Sequence, residues 1–467
     1  MDELLCDELI QEVFYRLPPS SSSAVSLVSK RWCRLLRSST TSISLCFPPP
    51  YNPTTIASLS AFLSHHPFLS SLSLAADFPD FGDPLLLAVA SSCPNLRRLR
   101  YLTSPVSSFS LCTLSVSCLH LSSIAITLSR PLSFHWLASF NSLKSLSLFF
   151  VSPSTEIDNS QVKEMRDAVF DLELNLESLS LCGILPGDSG VSYLWRNCKN
   201  VKKLRLKRCA GLGDYSSFSC FSKFLSGLKE LELRTCRSIF NGVLLKLAES
   251  CVSLDSLLVY DGGSREGLLQ FINQCKCSLR RLDLRLPLDL DNSHLIALAE
   301  NLNFRSLVSL RLQSCYLVTG EGLKGLARAI GNMLEELALI NCDVVERESG
   351  LLAALGQGLK RLRKLDLSHN DMLLDKELVS MLVSCNCLDE LKLRGCARLS
   401  NAAVDSMVRS CKQLESVDIT YCCGIEVEGV EALVLNSLRL RRLNVEQSKL
   451  SEVARTWTAD KCIEVVY

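Results

Sequence analysis

The side chains with the most chemistry to offer are twenty-three cysteines, set beside only six histidines. A zinc site needs ligands in short, paired spacings, and no Cys-x-x-Cys occurs. Cys275-x-Cys277, Cys385-x-Cys387 and Cys422-Cys423 are too close in register to supply four ligands. Many others are periodic: Cys209, Cys236, Cys315, Cys342, Cys396 and Cys422 follow one leucine motif, and Cys198, Cys251, Cys385 and Cys411 precede the next. A free cysteine is a small, readily buried hydrophobe, so this pattern predicts core packing in a reduced compartment. His369 with Asp366 could form a general base, but Leu365-Asp366-Leu367-Ser368-His369-Asn370 is a strand exit like its neighbours. Neither a P-loop nor a Gly-x-Gly-x-x-Gly fingerprint is present. The expectation is no catalytic residue, no metal and no cofactor.

The elements that position these residues announce themselves as Leu-x-x-Leu-x-Leu. Clear copies centre on Leu179, Leu204, Leu231, Leu257, Leu282, Leu310, Leu337, Leu365, Leu391, Val417 and Leu443, in steps of 25 to 28 residues. That is the period of a leucine-rich-repeat solenoid. Residues 388–414 show the unit. Leu388, Leu391 and Leu393 point inward, Lys392 and Arg394 alternate outward, and Cys396 and Leu399 cross the core. Ser400 or Asn401 then caps a helix carrying Val404, Met407, Val408 and Cys411 on one face. A strand followed by a helix in each repeat predicts an α/β stack with a parallel sheet on the concave face and helices on the convex face.

Weaker copies stand upstream at Leu69-x-x-Leu72-x-Leu74, Leu96-x-x-Leu99-x-Tyr101 and Leu143-x-x-Leu146-x-Leu148, with a degenerate one at Ile124 and Ile126. About 14 to 16 repeats are expected over 46–467. A longer loop near 149–170 either overhangs the concave mouth or is a tolerated insertion. Residues 447–467, with Trp457, read as a C-terminal cap.

Residues 1–45 do not follow the repeat. Leu4, Leu5, Leu9, Ile10, Val13, Phe14 and Leu17 fit one helix, stopped by Pro18-Pro19. Ala24, Val25, Leu27, Val28, Trp32 and Leu35 give a second apolar pattern after a serine turn. So small a module cannot bury all of these alone, so a partner chain or the adjoining repeats should cover some. The run Leu5-Cys6-Asp7-Glu8-Leu9-Ile10-Gln11-Glu12-Val13-Phe14-Tyr15-Arg16-Leu17-Pro18, followed by Val25-Ser26-Leu27-Val28-Ser29-Lys30-Arg31-Trp32, resembles an F-box. Joined to the repeats, it is similar to F-box/LRR proteins, most like the plant members, over almost the whole chain.

That resemblance implies a substrate receptor of a cullin–RING ubiquitin ligase of the SCF type. A Skp-family adaptor would bind Leu5, Leu9, Ile10, Val13, Phe14, Leu17, Pro18, Val28, Lys30, Arg31 and Trp32. Cullin and RING protein would follow through the adaptor, and a client protein would sit on the repeats for ubiquitination and degradation. Two positions depart from the family pattern: Cys6 stands in place of proline, which would loosen the entry loop, and Ser29 in place of cysteine. Thr41–Leu45 already reads as a strand and Pro48–Pro50 as a stiff turn, so no slack separates module from repeats.

On the strands, one outward column runs Lys207, Arg234, Tyr260, Arg285, Gln313, Ile340, Ser368, Arg394, Thr420 and Glu446. Its neighbour includes Arg205, Glu232, Leu258, Asp283, Arg311, Ala338, Asp366 and Lys392. Candidate client-binding residues are Lys207, Arg234, Tyr260, Arg285, Arg311, Gln313 and Arg394, whose basic part suits an acidic or phosphorylated segment. The alternative is an ordinary charged solvent face. A formal charge of +1 excludes a general pull toward nucleic acid or anionic membrane. No signal peptide or membrane-spanning run is read, so the expected setting is soluble and intracellular, with nucleus and cytoplasm both open. Two other readings stay open: a hormone-type receptor that holds a small molecule, and a scaffold whose F-box does not enter a ligase.

Overall fold

The computed structural model describes residues 5–17, 21–47, 53–75, 82–152, 173–287 and 289–467. Pro18-Pro19, the Pro48–Pro50 turn and nearly all of the long loop near 149–170 lie outside them. The chain divides into two compact units, residues 1–224 and 225–467.

The first unit opens with three helices, α1 (Asp7–Arg16), α2 (Ser22–Ser26) and α3 (Lys30–Ser39). The second apolar pattern is therefore divided between two helices. Ser29 makes the break: its backbone is extended, and its hydroxyl accepts from the Trp32 amide at 3.1 Å. Cysteine at that position would cap more weakly, so this departure strengthens the start of α3 by about 1 kcal/mol. Cys6 is the residue before α1, at φ −70°, which is the angle proline imposes. The backbone path is thus the one proline would give, although the thiol makes no cap hydrogen bond.

Only Thr40 and Thr41 separate α3 from the first strand. The strands of this unit are β1 (Ser42–Cys46), β2 (Ser71–Ala75), β3 (Arg98–Leu102), β4 (Ser123–Ser129), β5 (Ser145–Val151), β6 (Ser178–Cys182) and β7 (Lys203–Lys207). Each pairs in parallel with the next, so Leu72, Leu99, Ile124, Leu146, Leu179 and Leu204 stand in one row. All six are buried.

The second unit repeats the plan with β8 (Glu230–Arg234), β9 (Ser256–Gly262), β10 (Arg281–Pro287), β11 (Ser309–Gln313), β12 (Glu336–Ile340), β13 (Lys364–Asp366), β14 (Glu390–Lys392), β15 (Ser416–Asp418), β16 (Arg442–Asn444) and β17 (Glu464–Val466). Consecutive strands again pair in parallel. In the repeat at 388–414, Leu388, Leu391, Leu393, Cys396, Leu399, Val404 and Met407 are all fully buried. Ser400 is the cap of the helix Asn401–Ser410, accepting from Ala402. Each such leucine contributes roughly 1.5–3 kcal/mol by leaving water. The architecture is an α/β leucine-rich-repeat solenoid with a small helical module before it. β17 and the helix Glu452–Asp460 occupy the expected cap region, where Trp457 is half-buried.

The periodic cysteines lie inside. Cys342, Cys396 and Cys422 donate to the carbonyls of Leu312, Leu367 and Leu393, each one repeat earlier. Asn370 takes the same place, donating to Leu339 and Leu367 and accepting from the Cys342 amide. These side chains therefore satisfy backbone groups that the strand-to-helix crossing leaves buried. Burial pushes the Cys411 and Cys422 thiols up to about 12.

A second periodic feature follows the strands. Arg208, Thr235, Asp261, Leu286, Ser314, Asn341, His369 and Tyr421 adopt positive φ of 49–63°, and Gly183 and Gly395 occupy the same position with 87° and 75°. The left-handed residue turns its amide back into the ladder, as when His369 donates to Arg394 and Gly395 to Thr420. His369 is thus a strand-exit turn residue. Asp366 is engaged by the Ser368 amide and hydroxyl, at 3.1 and 2.6 Å, and by Arg311.

Candidate functional site

Within the N-terminal module, the apolar residues divide sharply. Ile10, Phe14, Val25 and Leu35 form its core, with Leu5, Trp32 and Leu36 packed against them. Phe14 meets the Trp32 ring edge-on at 5.5 Å. Arg31 ties α3 to the start of α1, reaching Asp7 at 2.6 Å and the Leu5 carbonyl at 2.9 Å. Ile10 and Phe14, expected to face an adaptor, are thus already used inside the module, and Arg31 and Trp32 largely hold it together.

The rest of the apolar set faces solvent. Leu9 is 54% exposed, Val13 46%, Leu17 39% and Val28 58%, while Lys30 is also exposed. Two residues that the family pattern does not single out join them: Leu27, 85% exposed, and Tyr15, 66% exposed. Their signal was in the sequence all the same, because the module holds more large apolar residues than so short a core can cover. Pro18 lies outside the described residues. Clustered exposed aliphatics on a folded module mark a surface for another protein.

The strand face of the second unit has different chemistry. Register places Arg234, Tyr260, Arg285, Gln313 and Ile340 side by side as one column. The arginines, however, have carboxylates of their own. Arg234 pairs with Glu232, and Arg285 binds Asp283 through two hydrogen bonds of 2.9 and 2.7 Å. That pairing, first through the hydrogen bonds themselves, raises the Arg285 pKa. Arg311 reaches Asp366 at 3.1 Å and Asp283 at 3.9 Å. Arg394 lies farther along, its guanidinium 5.0 Å over the Tyr421 ring. Lys207 belongs to the first unit and is exposed at the end of β7.

β12 is an apolar break in this face: Ala338 stands between Arg311 and Asp366, and Ile340 stands beside Gln313. The small Ala338 side chain floors a depression of about 180 Å³. Arg311, Lys364 and Lys392 rim it together with Glu336, Asp366 and Glu390. Lys364 pairs with Glu336 at 2.7 Å and Lys392 with Glu390 at 2.6 Å, so the rim is internally neutralised. Such a surface offers hydrogen bonds and shape to a partner rather than net charge. Among the described residues no group of three or more potential metal ligands occurs, and no helix is long and apolar enough to cross a membrane.

Comparison with known proteins bears first on the N-terminal module, whose residues 3–41 match the F-box domain family. The N-terminal module is an F-box. The chain is also similar to F-box/LRR-repeat protein 4 of Bos taurus, 26% identical over 202 residues. That match takes in 43% of this chain and 32% of the bovine protein, so the chain spans about a third of the relative's length. An F-box followed by leucine-rich repeats is the organisation both findings support. Among solved structures, the yeast Rad7–Elc1 complex gives a TM-score of 0.42 at 15% identity, covering 90% of this chain and 89% of the other. The leucine-rich-repeat protein LegL7 of Legionella pneumophila gives 0.43 at 16% identity, covering 61% and 97%. Both scores are too low to carry weight, and the fold assignment rests on strand register and burial.

Proposed function

We propose that this chain is the substrate-recognition subunit of an SCF-type ubiquitin ligase. The F-box docks a Skp-family adaptor, which brings cullin and RING protein, and the repeats hold a client for ubiquitination and degradation. The chain itself supplies no catalytic group; it provides proximity, and partner enzymes do the chemistry. The observation that carries the reading is the division of the F-box into a closed core and an exposed apolar set of Leu9, Val13, Leu17, Leu27 and Val28. Leu5, Ile10, Phe14, Arg31 and Trp32 then act mainly by shaping that surface, with Lys30 beside it; for Pro18 the adaptor role is carried by the family pattern alone. Kinship with the plant members is part of this proposal, supported by the Leu5–Pro18 string; the bovine relative does not bear on it.

Co-expression of the full chain with a Skp-family adaptor, a cullin and a RING protein tests the proposal. A stoichiometric four-protein complex on size exclusion with light scattering is expected. Elution of the folded chain apart from the adaptor would contradict it.

A further inference from the structure

The seven strands of the first unit carry five basic residues, Arg98, Arg100, Lys203, Arg205 and Lys207, and no acidic one. Two of the five are set apart by their surroundings. Arg98 and Arg100 alternate outward on β3, both exposed, around the buried Leu99. Neither has a carboxylate partner among the described residues. Their neighbours in register are neutral: Ser71 and Ser123 flank Arg98, and Ser73 and Ala125 flank Arg100. This is the reverse of the second unit, where Arg234, Arg285 and Arg311 are each held by a carboxylate.

We infer that the strand face of the first unit, centred on Arg98 and Arg100, binds a phosphorylated peptide segment. The distribution of charge decides between the two anionic partners such a face could take. A run of aspartates and glutamates would be matched by cations spread along successive strands. Here two guanidinium groups stand two residues apart on one strand, with neutral residues, three serines and one alanine, on the strands to either side. That arrangement fits one compact group bearing nearly two negative charges and three acceptor oxygens, which is a phosphate monoester. Guanidinium groups supply paired donors, and the serine hydroxyls can donate to the remaining oxygens. The segment carrying the phosphate would lie across the sheet, where small side chains on β2 and β4 leave room for its backbone. The inference rests on the repeats being a client-holding surface, and it moves the charged part of that surface from the second unit to the first.

The test uses the full chain with its adaptor and fluorescence anisotropy. The probes are three fluorescein-labelled pools of degenerate nonapeptides, centred on phosphoserine, on serine, or on three consecutive glutamates. The phosphoserine pool should bind at least about tenfold more tightly than the serine pool, and the preference should weaken as salt rises. Arg98→Ala with Arg100→Ala should abolish the preference, whereas Arg98→Lys with Arg100→Lys should retain part of it, keeping charge while losing the paired donors. Arg234→Ala with Arg285→Ala should leave it unchanged. Equal binding of the serine and phosphoserine pools would overturn the inference, as would a preference that survives the alanine pair or a glutamate pool that binds as well. Adaptor capture is measured on the same samples. Phosphate preference without adaptor binding would support this inference while sinking the ligase reading, and adaptor binding without phosphate preference would do the opposite.

Discussion

The two units are each built on the same kind of leucine core and differ in the face they turn to solvent. On β1 to β7 serine is the commonest outward residue, and every charge is positive. On β8 to β17 nine acidic residues meet seven basic ones, and most of the charges are tied to one another. The lesson is that a basic residue on a sheet is not by itself a basic surface. Arg285, bound twice by Asp283, has little to offer a second anion, while Arg98 and Arg100 have no such competitor among the described residues. Fold and face are therefore separable: leucines specify the stack, and the residues between them decide what it can hold.

The strongest way to break this comparison is to show that the cores are unequal. Leu146→Ala in the first unit and Leu391→Ala in the second remove comparably buried side chains. Each should cost about 2–5 kcal/mol in denaturant unfolding. A large loss in only one would mean that the units differ in more than their faces. Next in size is the contrast between arginines. Arg311→Ala should cost about 1 kcal/mol because Asp366, only 14% exposed, loses its cationic partner and keeps only the Ser368 hydrogen bonds. Arg100→Ala should stay within about 0.5 kcal/mol. Equal costs would erase the distinction between tied and untied charge. In the F-box, Cys6→Pro should raise stability by about 0.4–1 kcal/mol, because the residue already holds proline's angle. A clear loss on thermal melting would mean that the thiol position matters in some other way.

Thiol chemistry sharpens the comparison of cores without changing any residue. Iodoacetamide should label Cys6, Cys46, Cys387, Cys423 and Cys462, all exposed, in the native protein. Cys198 and Cys422, one in each unit, have their thiols pushed up to about 12 by burial and should react only on unfolding. Mass spectrometry of tryptic peptides would expose any buried cysteine that reacts early.

Much of this was legible in the chain. The strand rows at Leu179 through Leu443 and the cysteine periodicity follow from a repeat that buries the same position each time. β17 was missed because Glu464–Val466 lacks the leucine motif and is recognised only by its pairing with β16. The F-box residues were found as a set, but their division was not. Ile10 and Phe14 lie four apart on α1, while Leu9 and Val13 lie four apart beside them, so period alone gives two equivalent faces. Only the packing of Val25 and Leu35 decides which face is inside. The unit-two arginines misled for a similar reason: an outward position is readable from period two, but its carboxylate partner is not.

The central claim is that Leu9, Val13, Leu27 and Val28 serve a partner and not the fold. The direct measurement is calorimetric titration of a Skp-family adaptor into the full chain and into Leu27→Ala with Val28→Ala, alongside thermal melting of both. The account predicts at least about a tenfold loss of affinity with an unchanged melting temperature, since both side chains are exposed in the free chain. Unchanged affinity, or a loss that appears only in step with a lowered melting temperature, would contradict it.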